Sequence, residues 1–134
     1  MNAPDRFLKF VVPDGEARTS FIRDTKIERA GTYKVLCEDH TLGNLLRMQL
    51  HRNPEVLFAA YQVPHPLANH VLIRLQTTRK SSPTEALKQA IEEVRGEVDD
   101  LKNQFVNQVI NMQQMAQGEA GAMGQGQMNY AGGY

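Results

Sequence analysis

The chain has no tryptophan, a single cysteine and no excess of either charge, with 15 lysines and arginines set against 15 aspartates and glutamates in 134 residues. Each shortage removes a class of function. A lone Cys37 cannot build a disulfide framework and fits a reducing compartment; lying in a strand-like stretch, it reads as a buried structural thiol. Balanced charge supplies no long-range field toward a phosphate backbone. Arg47, Arg52, Arg79 and Lys80 are not interleaved with stacking aromatics, so no direct sequence-specific nucleic-acid contact is expected. No apolar run approaches the roughly 20 residues that cross a bilayer, and the polar stretch Met1 to Arg6 is unlike a secretion signal. A soluble, intracellular protein with no membrane partner is expected.

Catalytic signatures are equally scarce. The few serines occupy no nucleophile elbow, and neither a phosphate loop nor a dinucleotide fingerprint is present. His40, His51, His65 and His70 do not fall at zinc-site spacings, and one cysteine cannot complete such a site. Leu42-Gly43-Asn44 holds one glycine and is no phosphate cradle; Gly43, at a helix start, is expected to let another helix approach closely, and Asn44 to fix geometry by a buried hydrogen bond. No catalytic residue, metal or cofactor is expected.

What is present is a sheet and two helices. Strands are expected at Thr19–Ile22, Thr32–Glu38, Val56–Val63 and Val71–Thr77, the last two joined as a hairpin through Pro64-His65-Pro66. In the second, Tyr33, Val35 and Cys37 share a face. Between the second and third strands Asp39 or Thr41 caps a helix that runs to about Arg52, where Asn53-Pro54 stops it. Leu42, Leu45, Leu46 and Gln49 recur on it at helical spacing, widened by Met48 and Leu50.

The second helix has the clearest start, with Ser82 as cap, Pro83 at the first helical position and Glu85 completing a capping box. Leu87, Ile91, Val94, Val98, Leu101 and Phe105 then follow at alternating steps of four and three, a 3.5-residue repeat that draws a narrow apolar seam. Running from Pro83 to about Met115, this helix is about 50 Å long at ~1.5 Å per residue. A domain of this size is roughly 30 Å across, so the helix is expected to protrude and to present seam residues that its own sheet does not cover. At about 1.5–3 kcal/mol for each fully buried seam residue, the gross driving force for covering them is roughly 10–18 kcal/mol. Gly96 opposes helix formation by about 1 kcal/mol.

The expected fold is therefore α+β in two layers, a roughly four-stranded, mainly antiparallel sheet with two helices on one face. Residues 1–115 form the domain. Residues 116–134, rich in Gly, Gln and Met and almost uncharged, read as a disordered tail.

One ordered run of residues resembles a known family. Asp39-His40-Thr41-Leu42-Gly43-Asn44, Leu46-Arg47, Asn53-Pro54, Tyr61, Pro64-His65-Pro66 and Ile73-Arg74-Leu75-Gln76-Thr77 resemble the small alpha-like subunits of eukaryotic and archaeal RNA polymerases, themselves similar to half of the bacterial alpha dimer. Leu46-Arg47-Met48-Gln49-Leu50 and the short N-terminus look more like the member in RNA polymerase II than the relative shared by polymerases I and III. The resemblance implies a nuclear, non-catalytic assembly subunit of DNA-directed RNA polymerase II. It implies a heterodimer, through a helix bundle, with the larger alpha-like, third-largest subunit, which then meets the second-largest and largest subunits. Carried onto this chain, the pairing residues are Leu42, Leu45, Leu46 and Met48 on the first helix and Leu87, Ile91, Val94, Val98, Leu101 and Phe105 on the second.

Competing readings are the subunit shared by polymerases I and III, a self-associating helical adaptor, and a small enzyme on a similar scaffold. The last needs convergent histidines and a stacking aromatic, which this sequence does not offer. Leu, Ile and Val at a seam specify how helices fit without specifying which helices, so the seam alone does not separate homodimer from heterodimer.

Overall fold

The computed structural model describes residues 4–125, with side chains through residue 117. A short 3-10 turn at Arg6–Lys9 precedes β1 (Thr19–Arg23), β2 (Ala30–Leu36), α1 (His40–Arg52), β3 (Val56–Gln62), β4 (His70–Thr77) and α2 (Pro83–Gln125). The four strands form one antiparallel sheet in the order β1-β2-β4-β3. The β2–α1–β3 connection leaves a gap of one strand, and β4 returns through a hairpin to fill it.

Register decides which side chains reach the core. Tyr33 lies opposite Ile73, Gly31 opposite Leu75 and Val35 opposite Val71, while Ala59 and Tyr61 of β3 face Leu75 and Ile73. With a side-chain period of two, these residues share one face. Leu46 and Leu50 of α1 and Ala86 and Ala90 of α2 pack on that face. Thr84 and Tyr33 share a hydroxyl hydrogen bond of 2.8 Å that ties the first turn of α2 to β2. Thr32, Lys34, Arg74 and Gln76 occupy the other face, which no helix covers among the described residues.

Local signals explain where the elements start and stop. Asp39 caps α1 by accepting the Thr41 amide at 2.9 Å, and that backbone bond holds its carboxyl below the usual aspartate value. Asn53, extended ahead of Pro54, ends the helix. Ser82 and Glu85 form the reciprocal capping box, the Ser82 amide donating to Glu85 at 3.0 Å and the Glu85 amide to the Ser82 hydroxyl at 3.2 Å. Asp24 pins the β1–β2 turn: it accepts the Lys26 and Ile27 amides and pairs with Arg74 at 2.6 Å.

Three expectations need correction. β2 stops at Leu36, and Cys37 sits beyond it in the left-handed region at φ 57°, half-buried, with its thiol 3.9 Å from the Leu8 carbonyl. Gly43 admits no helix; the Tyr61 ring of β3 occupies the space where its side chain would be. α2 continues past Met115 to Gln125, so the expected tail is helical in its first part, and residues 126–134 lie outside the described residues. No described helix is long and apolar enough to cross a membrane.

The chain divides into two compact units, one through Arg95 and one from Gly96 onward. The first holds the sheet, α1, the opening turns of α2 and the whole core. In the second, every described side chain of α2 is exposed.

Candidate partner interface

The sequence nominates ten pairing residues, and the structure sorts them by burial. Leu46 is only 4% exposed and belongs to the chain's own core, so its role is internal. Leu42 and Leu87 lean on that core and Val94 is half-buried. Leu45, Met48, Ile91, Val98, Leu101 and Phe105 are exposed, Phe105 to 70%. The apolar stripe of α1 is thus split lengthwise: Leu46 and Leu50 turn inward, while Leu45 and Met48 look out.

Within the first unit, a polar clasp fixes α1 against the opening turns of α2. Gln49, buried in the middle of the α1 stripe, donates to Glu93 at 2.6 Å. Gln89 donates to the other oxygen of Glu93 at 2.8 Å and accepts from Asn53 at 3.2 Å. Arg52 donates to Gln49 at 3.0 Å. Sequence reasoning placed Gln49 on the apolar stripe without a partner; a buried amide demands hydrogen bonds, and that demand was the available signal for Glu93.

Hydrogen bonds from Gln49 first and Gln89 second stabilise the ionised form of Glu93 and hold its carboxyl below the ordinary value of 4.5. A depressed folded-state pKa means that the clasp's contribution is complete above the unfolded value and fades as pH falls through the folded one. Urea melts are therefore expected to show stability falling on the acid side of pH 4.5, with Glu93→Gln flattening that limb and leaving pH 7 stability lower than wild type.

Beyond Phe105 the sequence extends the stripe to Val109 and Met112, but a second apolar pair escaped that reading. Val106 and Ile110, one helical turn apart, are 46% and 44% exposed beside Val109 and Met112. No group of three or more His, Cys, Asp or Glu among the described residues could hold a metal ion. A cleft of about 440 Å³ holds Ser82 and Thr84 among its lining residues. Both hydroxyls are engaged, Ser82 in its cap and Thr84 with Tyr33.

His40, the first residue of α1, meets the Tyr61 hydroxyl at 3.1 Å and stands edge-on to its ring. Both belong to the run of residues that carried the resemblance, and the contact gives that run a physical role: it locks the start of α1 onto β3 over Gly43. Asn44 accepts from Arg47 at 2.8 Å and is half-buried.

Known proteins agree with this architecture. Residues 30–104 match the RNA polymerase Rpb3/Rpb11 dimerisation domain. The chain is 47% identical over 109 residues to DNA-directed RNA polymerase II subunit rpb11 of Dictyostelium discoideum, covering 81% of this chain and 91% of that protein. It is 43% identical to the probable RNA polymerase II subunit RPB11 of Caenorhabditis elegans, covering 78% of this chain and 85% of that one. The crystal structure of DNA-directed RNA polymerase subunit L from Thermoplasma acidophilum shares the fold with a TM-score of 0.60 at 22% identity, over 73% of this chain and 96% of that one. An exposed apolar seam, a clasped helix pair on an antiparallel sheet and these matches together make the chain a member of the RNA polymerase Rpb3/Rpb11 dimerisation-domain family.

Proposed function

We infer that this chain is an assembly subunit of DNA-directed RNA polymerase II, acting in the nucleus in the synthesis of mRNA. It contributes no catalytic group of its own and pairs with the larger alpha-like, third-largest subunit through its two helices. The heterodimer then offers a platform to the second-largest and largest subunits. Residues 1–115 carry the pairing unit.

The observation that supports this reading most directly is the seam itself. Val98, Leu101 and Phe105 are more than half exposed on a helix of a chain whose family is a dimerisation domain. Apolar side chains at a 3.5-residue repeat remain in water only until another helix covers them. Leu45, Met48 and Ile91 add an apolar patch to the first unit, and a partner presenting a similar helix pair closes a four-helix bundle over them.

The test is coexpression of the full chain with the larger alpha-like subunit of the same organism, followed by size-exclusion chromatography with light scattering. A one-to-one heterodimer is the expected result. A stable, soluble homodimer of this chain that takes up no alpha-like partner overturns the assignment.

A further inference from the structure

Lys88, Arg95 and Lys102 recur at seven-residue steps along α2, each immediately after a seam residue: Leu87, Val94 and Leu101. All three are exposed, and among the described residues none is ion-paired. They line one edge of the seam. The other edge, immediately before Ile91, Val98 and Phe105, reads Ala90, Glu97 and Gln104. Ala90 is 2% exposed and lies inside the chain's own core, so a helix seated on the opening turns of α2 approaches from the side that carries Lys88.

We propose that the helix covering this seam belongs to a different chain that carries carboxylates opposite Lys88, Arg95 and Lys102, and that this basic edge selects it over a second copy. Edge charges of a helical seam set partner choice and orientation. If a second copy ran antiparallel, like edges would meet and the basic row would face itself. If it ran parallel, the row would face Ala90, Glu97 and Gln104, one carboxylate for three cations. Glu92 and Asp99 stand one helical turn from the row on its own helix, but neither orientation of a second copy brings matching carboxylates to it from across the seam, and that mismatch opposes association. The seam is indifferent to identity; its edge is not. Seven residues beyond Lys102 the series reaches Val109, so the acidic stretch required of the partner ends there.

This inference rests on the pairing proposed above, and one set of measurements separates the two. The full chain and its Lys88→Glu/Arg95→Glu/Lys102→Glu variant are titrated with the purified larger alpha-like subunit at 50 mM and 500 mM NaCl, with circular dichroism checking the fold of each. Loss of three exposed attractions and their replacement by repulsions is expected to raise Kd by about tenfold or more at low salt. The gap should narrow at high salt. The neutral variant Lys88→Gln/Arg95→Gln/Lys102→Gln, which keeps the helix and adds no repulsion, should fall between, and it decides the matter if the reversed chain does not fold. Pairing of wild type with unchanged Kd for the substituted chains overturns the charge selection and leaves the heterodimer standing. Failure of wild type to pair at all overturns both.

Discussion

Val98→Asp combined with Leu101→Asp is expected to abolish capture of the alpha-like partner while leaving the chain's own fold intact. In the chain alone the two side chains are 55% and 68% exposed, in a unit whose described side chains contribute nothing to the core, so aspartate meets water there. In a covered seam the same substitutions lose about 2 kcal/mol of apolar burial each and place unpaired carboxylates where water is excluded, at several kcal/mol more. With a factor of ten for every ~1.4 kcal/mol, affinity should fall by about a thousandfold or more. Pull-down with the tagged partner reads the loss, and circular dichroism with a urea melt reads the fold. Undiminished capture would mean that the seam lies elsewhere on the molecule.

Gly43→Val should destabilise the chain itself. A side-chain carbon at this position would stand 2.5 Å from Cδ2 of Tyr61 and 3.0 Å from both Cγ of Tyr61 and Cγ2 of Val71. Those are ring and branch atoms held by β3 and β4, which cannot swing aside as the end of a long side chain would. Tyr61 is also bonded to His40, so relief of the clash breaks the lock at the start of α1. Overpacking of this kind costs about 1–3 kcal/mol, and the better helix propensity of valine over glycine returns only a few tenths. A net loss of about 1–2.5 kcal/mol follows, visible as a lower urea midpoint. Gly96→Ala is the control: a side-chain carbon there meets nothing within 4 Å, and the change should add up to about 1 kcal/mol through helix propensity alone. If both glycines respond alike, the Tyr61 contact is not what requires Gly43.

Element boundaries were legible wherever a local chemical device sets them. Asp39, Asn53-Pro54 and the Ser82/Glu85 box act within a few residues, and the helices start and stop at them. α1's direction into the sheet was legible only in part, because Leu45 and Leu46 are adjacent apolar residues and only the position of the sheet decides which of them it covers. Gly43 and Cys37 were misread, and the partner of Gln49 was missed, for a shared reason. Each is governed by a residue remote in the chain: Gly43 by Tyr61, Gln49 by Glu93 and Cys37 by Asn69, whose carbonyl accepts the Cys37 amide at 2.7 Å. The far end of α2 was underestimated because Gly, Gln and Ala after Met115 give neither a stop signal nor an apolar stripe, and a helix once nucleated adds residues at little cost. As for the ten candidate pairing residues, periodicity places them on the two helices, but it could not tell a leucine kept at home from one held out.

The clasp between Gln49, Glu93, Gln89 and Asn53 has a kinetic consequence. Because these bonds set α1 and the opening turns of α2 before any second polypeptide arrives, Leu45, Met48 and Ile91 stand ready as a finished relief, and their recognition needs no coupled folding. In the proposed pairing, encounter over that patch is then rigid-body docking, at rates of roughly 10⁵–10⁷ M⁻¹s⁻¹, and the lifetime of the assembly, far more than the speed of its formation, is what sequence changes there are expected to alter.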